Sequence, residues 1–197
     1  MQVIEWTHFL ENGLPLGENR SSMLQCSMTV GIFDGVHRGH QALIKRIISH
    51  NKNFIPVVVT FRQNHKIEAD KERDKEYAQT GDIQNFQQRL ETFEKLGIQI
   101  VIVVDFTEEF RRMKGSDFLE ILIKHSNTGF FAVGSDFRCG YKLDTDASAI
   151  QKFFASRSIP VEIVPQVMEG SLPISSSRIR AAIAVGDIPL AKAMLGD

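Results

Sequence analysis

Cysteine is nearly absent from this chain. Only Cys26 and Cys139 occur in 197 residues, more than 100 positions apart. That pattern supports neither a disulfide framework nor a zinc site and makes a reducing cytoplasm the expected compartment. Charge of one sign is lacking too: 23 basic residues stand against 24 acidic ones. No chain-wide field favours nucleic acid or an anionic membrane, so any phosphate recognition has to be local. Long apolar runs are missing, and stretches such as Ile100 to Val104 are too short to cross a bilayer. The first residues, MQVIEWTHFLENG, carry Glu5 and Glu11 where a secretory leader would carry basic charge and then an apolar core, so no leader is expected. Neither GxxxxGKS/T nor GxGxxG occurs, which leaves a Walker-type NTPase and a dinucleotide oxidoreductase without support. No Ser or Cys sits in a recognisable nucleophile elbow.

What is present is organised around Val30 to His40, VGIFDGVHRGH. The apolar segment Met28 to Phe33 predicts a buried strand that breaks at Asp34-Gly35. Apolar spacing at Ala42, Leu43, Ile44, Ile47 and Ile48 then predicts a helix. His37 and His40 fall at its start, three residues apart, so they share one face beside the unpaired N–H groups of the first turn. Gly39 between them lets a ligand come close to the backbone. Partial positive charge, free donors and two imidazoles suit a phosphate chain.

Further strands are expected at Val3 to Trp6, Phe54 to Phe61, Ile98 to Val104, Phe130 to Val133 and Val161 to Val164. Helices are expected at 83–96, 107–113, 117–125 with Ser116 as cap, and 144–158. Residues 1–24 otherwise read as a loop. The alternation predicts one α/β domain with a Rossmann-like open parallel sheet and helices on both faces. Ligands of such sheets sit outside the carboxyl ends of strands, so Phe33-Asp34 and Thr60-Phe61 should meet at one cleft. Lys66 to Glu76 has nine charged residues in eleven, read as a solvated loop or a lid.

Two later segments carry chemistry. Ile174 to Arg180, ISSSRIR, precedes a helix: its three serines can cap the helix, and Arg178 offers a permanently charged fork for phosphate oxygens. Gly134 to Tyr141, GSDFRCGY, combines two glycines, a carboxylate and two aromatics in a loop able to stack a flat ring and hydrogen-bond its edge.

Together GIFDGVHRGHQ, VGSDFRCG and ISSSRIR, in this order, resemble the adenylyltransferase half of bacterial bifunctional FAD synthetases, within the HxGH nucleotidyltransferase superfamily. RLETFEKLGIQIVIVVDFTEEFRRMKGSDFL between them is similar to that family as well. The resemblance implies that AMP passes from magnesium-bound ATP to FMN, giving FAD and pyrophosphate. It implies catalytic roles for His37, His40 and Arg178. ATP contacts would come from Gly31, Phe33, Asp34, Gly35, Gly39, Ser175, Ser176 and Ser177, and flavin contacts from Thr60, Phe61, Asn64, Gly134, Asp136, Phe137 and Arg138. No protein ligand to a metal is assigned. The family's TFxPHP is TFRQNH here, with Asn64 where its histidine would stand, and Cys139 replaces an aromatic residue. The chain stops at Asp197, where the family continues into a riboflavin kinase barrel. A single adenylyltransferase domain of 1–197 without riboflavin kinase activity is therefore expected, either a stand-alone enzyme or a piece of the bifunctional one. No nucleic-acid or membrane partner is expected. Other readings are a catalytically weak flavin- or nucleotide-binding module and a related nucleotidyltransferase with another phosphate acceptor.

Overall fold

Short β-branched runs separated by amphipathic segments bury best as strands covered on both faces, and that is how the chain folds. The computed structural model describes residues 1–16, 24–62 and 81–196. Its main sheet consists of β1 (Gln2–Glu5), β2 (Cys26–Val30), β3 (Ile55–Phe61), β4 (Ile100–Val104), β5 (Thr128–Gly134) and β6 (Val161–Val164). The spatial order is β1–β4–β3–β2–β5–β6, with every neighbouring pair parallel. The chain runs outward from β2 through β3 to β4, then returns to place β5 on the other side of β2. The order thus reverses between β2 and β5, the point at which open α/β sheets leave a crevice at their carboxyl ends.

The helices are α1 (Trp6–Asn12), α2 (Arg38–Ser49), α3 (Phe86–Lys95), α4 (Glu108–Arg111), α5 (Gly115–His125), α6 (Ala147–Ala155), α7 (Ser176–Ala184) and α8 (Ile188–Leu195). Side chains alternate across the sheet. Ile100, Ile102 and Val104 join Phe9, Phe118, Leu119, Leu122, Ile150 and Phe154 in one core, so α1, α5 and α6 cover that face. Val101 and Val103 join Ile44, Ile47 and Phe93 in a second core, so α2 and α3 cover the other. Helices α7 and α8 share a smaller core of Ile174, Ile179, Ala182, Ala191 and Met194.

Several boundaries differ from the sequence expectation. The stretch after β1 is a helix rather than a loop. Phe9 is its one fully buried residue, so two turns show no periodicity. Strand β2 ends at Val30, three residues before Phe33, because Phe33 takes a left-handed conformation (φ 57°). Ser116 does not cap α5: the helix begins at Gly115, whose N–H donates to Asp144 Oδ1 at 3.0 Å. The helix expected over 144–158 starts at Ala147, because Thr145–Asp146 pairs antiparallel with Arg138–Cys139. A second short ribbon, Met168–Glu169 with Leu172–Pro173, and helix α8 were not expected from the sequence. Asn64 and the charged segment 66–76 lie outside the described residues.

Gly140 ties the first ribbon to α5. Its φ is +84°, and a Cβ there would stand 2.1 Å from Asp144 Oδ1 and 2.2 Å from the Gly115 nitrogen. Gly140→Ala should cost about 3 kcal/mol in denaturant unfolding, from strain plus overpacking. Gly170→Ala, at positive φ but with nothing within 4 Å, should cost about 1 kcal/mol. Equal losses would show that the crowding around Gly140 is unimportant.

Candidate functional site

The crevice between β2 and β5 is built from the turn after each strand. After β2 the chain makes a tight 3₁₀ turn, Asp34–Val36, before α2 begins at Arg38 with His37 as its N-cap. The cap is an imidazole: the His40 N–H donates to His37 Nδ1 at 3.4 Å. This folds the two rings into a stack, with centroids 3.6 Å apart and planes 18° apart. The His40 ring also meets Phe33 edge-on at 5.1 Å. Gly39 has a more specific job than admitting a ligand. A Cβ on it would lie 3.1 Å from the His37 ring, so its bare Cα gives that ring its place over the helix start.

Both imidazoles are uncharged at neutral pH. Burial pushes His37 down to about 4, against a partial upward pull from the Asp136 carboxylate. Burial, the proximity of His37 and the charge of Arg89 push His40 well below the ordinary histidine range. Among the described residues His40 Nδ1 is buried and has no hydrogen-bond partner.

The C-terminal motif converges on the same turn. Asp34 is 3% exposed; its Oδ2 accepts from Arg180 Nη1 at 2.7 Å and its Oδ1 from the Ile83 N–H at 3.0 Å. Burial pushes the Asp34 carboxyl up, while Arg180 and the N–H groups of Ile83 and Gln84 pull it down. The Ser176 hydroxyl donates to the Asp34 carbonyl at 3.0 Å, and Arg180 Nη2 donates to Ser177 Oγ at 3.3 Å. Gln41 donates to the Leu195 carbonyl at 2.8 Å, and Arg38 reaches both Glu169 and the Ala193 carbonyl. Residues 34–41 and 174–195 are therefore joined side by side.

The sequence-derived candidates divide. His37, His40, Asp34, Gly35, Gly39, Ser176 and Ser177 come together. Ser175 is the N-cap of α7, accepting from the Arg178 N–H at 3.2 Å, so α7 starts inside ISSSRIR rather than after it. The Arg178 guanidinium donates to the carbonyls of Glu169, Leu172 and Pro173; the arginine directed at the turn is Arg180. On the β5 side, exposed Asp136 accepts from Gln166 at 3.0 Å, and half-buried Phe137 packs on the core. A Cβ on Gly134 would stand 3.2 Å from Asp136 Oδ1. Arg138 is exposed at the start of the ribbon, and Gly31 packs under the Phe33 ring. At the end of β3, buried Thr60 donates to the Ile32 carbonyl at 3.1 Å, and Phe61 stacks on Phe106 at 4.4 Å.

Sequence reasoning missed Arg180 and Arg89, both buried. Arg89 was detectable: it lies three residues after Phe86 and four before Phe93, a charge on the apolar stripe of α3. Among the described residues no group of three or more His, Cys, Asp and Glu could hold a metal ion.

Two outcomes test this geometry. In the unfolded chain His37 titrates near 6.5 but in the fold near 4, so unfolding takes up a proton between those values. Stability should fall as pH drops through that window, by up to about 3 kcal/mol from this residue. His37→Asn keeps a capping acceptor and cannot titrate, so its stability should depend less on pH there; an unchanged slope would remove His37 as the source. Asp34→Asn leaves Arg180 buried opposite a neutral amide and should cost about 3–5 kcal/mol, whereas a loss under 1 kcal/mol would mean that the pair does not join the two motifs.

Comparison with known proteins gives the following. Residues 19–178 match the family described as FAD synthetase. A bifunctional riboflavin kinase/FMN adenylyltransferase of Escherichia coli (strain K12) is 31% identical over 173 residues, covering 87% of this chain and 54% of the relative. The protein of that description in Listeria monocytogenes is 30% identical over 171 residues, 86% and 53% respectively. The chain spans about half the length of the curated relatives it matches. A crystal structure described as a macrolide-efflux protein from Streptococcus pneumoniae superposes with a TM-score of 0.79 at 25% identity, covering all of this chain and 60% of that one. Among the described residues of this chain no helix is long and apolar enough to cross a membrane.

Proposed function

Since the chain belongs to the FAD synthetase family, we propose that residues 1–197 form its FMN adenylyltransferase domain, which transfers AMP from magnesium-bound ATP to FMN. An FMN phosphate oxygen attacks the α-phosphorus of ATP in line. The new O–P bond forms as the bond from the α-phosphorus to the bridging oxygen breaks, and pyrophosphate leaves with that electron pair. The nucleophile is already ionised at neutral pH, so no protein base has to remove a proton. What the protein supplies is alignment of two anions and donors for charge gathering on the bridging and leaving oxygens.

The observation that carries this reading is the meeting of the twin-imidazole turn and the serine-arginine helix start beside the β2/β5 crevice, through Asp34–Arg180 and Ser176–Asp34. In the reading, His37 and His40 face the triphosphate as neutral N–H donors, along with the first-turn N–H groups of α2 near Gly35 and Gly39. Ser175, Ser176 and Ser177 line its outer phosphates. Arg178 reaches them by exchanging hairpin carbonyls for phosphate oxygens. Phe33 and Gly31 shape the floor. Thr60, Phe61, Asn64, Gly134, Asp136, Phe137 and Arg138 border the flavin, whose ring has aromatic neighbours in Phe61 and Phe137. The location in this reading is cytoplasmic, which two cysteines without a pairing pattern support.

Purified protein given FMN and magnesium-ATP should release FAD and pyrophosphate in equal amounts, read by chromatographic separation of flavins. Riboflavin in place of FMN should give no FAD from this domain, because it has no phosphate to attack the α-phosphorus. Absence of FAD across metals and pH would reject the assignment. His40→Ala should lower kcat/KM about 100-fold with little change in melting temperature; near-normal turnover would remove His40 from the chemistry.

A further inference from the structure

Arg89 is among the largest fully buried side chains of the described residues, 0% exposed, and it lies outside every motif that drew attention to the site. It projects from the apolar face of α3, a helix whose start is fixed by a reciprocal Asn85–Gln88 capping box. Its Nη1 donates to the Ile32 carbonyl at 2.7 Å and approaches Thr60 Oγ1 at 3.4 Å. Its Nη2 donates to the carbonyls of Phe61 and Arg62, each at 3.1 Å. One guanidinium thus holds the carboxyl ends of β2 and β3 together, directly before the turn that begins at Asp34. The guanidinium lies over the Phe86 ring at 5.2 Å, which closes it off from water.

The acceptors are what make this arginine unusual. Among the described residues no carboxylate lies within ion-pair distance of it, and the buried acid of the turn, Asp34, is bonded to Arg180. A buried cation held by carbonyl dipoles keeps most of its field, and burial in low dielectric lengthens the reach of that field. A hydrocarbon side chain could fill the same space without the cost of taking a charge out of water. The structure retains the charge where an anion site opens.

We propose that Arg89 is a positioning residue of the phosphate site: its fork fixes the carboxyl ends of β2 and β3, and its permanent positive charge draws phosphate oxygens to the imidazole turn. This rests on the adenylyl-transfer reading only for its kinetic consequence; the anion-binding consequence stands apart from it. The charge is within electrostatic reach of His40 and contributes to holding that ring uncharged. The other titratable groups bearing on this pair are His37 beside His40, Asp136 acting on His37, and Asp34 and Asp82 acting on Arg89.

The test compares the wild-type chain with Arg89→Met and Arg89→Lys, using tripolyphosphate as the anion in calorimetric titration and FMN plus ATP in steady-state kinetics. Arg89→Met removes charge and fork. It should weaken tripolyphosphate binding on the order of tenfold, the effect of one charge at about 10 Å in a medium of effective dielectric constant about 20. The His40 ring should also titrate at higher pH in NMR than in the wild type. Arg89→Lys keeps the charge and loses the fork: tripolyphosphate affinity should stay within about twofold while kcat falls about tenfold. A folded Arg89→Met that binds tripolyphosphate as the wild type does, with His40 titrating unchanged, would overturn the proposal and leave Arg89 a packing residue. Should Arg89→Met fail to fold, Arg89→Lys decides, and unchanged kcat and KM overturn the proposal. A wild-type chain that binds no tripolyphosphate would overturn it too. A wild-type chain that binds tripolyphosphate but makes no FAD sinks the adenylyl-transfer reading while the binding comparison still judges Arg89.

Discussion

The arrangement depends on one buried ion pair. Asp34 and Arg180 are 146 residues apart in sequence and 2.7 Å apart in the fold. The two oxygens of Asp34 are divided between that arginine and the N–H groups of Ile83 and Gln84, and its carbonyl accepts from Ser176. A single residue in a tight turn therefore joins the end of β2, the approach to α3 and the start of α7. Such a pair adds little net stability over a well-packed apolar substitute, since both charges lose their hydration. What it does add is geometry: a carboxylate with assigned partners on each side cannot be satisfied in a second arrangement.

The turn also has a fixed electrostatic character. Two imidazoles buried in a stack refuse protons at neutral pH, and two buried arginines carry the positive charge instead. The division has a physical logic. A guanidinium stays charged at any accessible pH, so the positive charge beside the turn does not fluctuate. A neutral imidazole keeps an N–H to donate and adds no repulsion to the cluster of cations. Left-handed Phe33 and the bare Cα of Gly39 store the local strain and close approach that this stack requires.

The α7–α8 pair with its own small core shows how a distant segment is held at a site. Arg38 and Gln41, the residues within and just after the histidine motif, spend their side chains on Glu169, Ala193 and Leu195. These two residues thus serve the docking of the C-terminal helices. Arg178, which the residue types alone marked for phosphate, sits on the carbonyls of the Met168–Pro173 hairpin, while Arg180 two positions on faces the turn.

The sequence by itself determined the layered α/β plan, because β-branched runs and a 3.6-residue apolar period bury only in that way, and it located the helix start carrying His37 and His40. It also marked the serine segment through capping chemistry, which is local. Only the tertiary structure decided which side chains meet: that Asp34 pairs with Arg180 rather than facing solvent, that Arg89 crosses under the ends of two strands, and that Thr60 is buried against the Ile32 carbonyl. It likewise decided where α5 and α6 begin, since Gly115 answers to Asp144 and Thr145–Asp146 pairs with Arg138–Cys139 across the ribbon. Patterning is read from each residue's own chemistry and its spacing. Pairing between buried polar groups depends on loop closures over tens of residues, which leave no periodic trace.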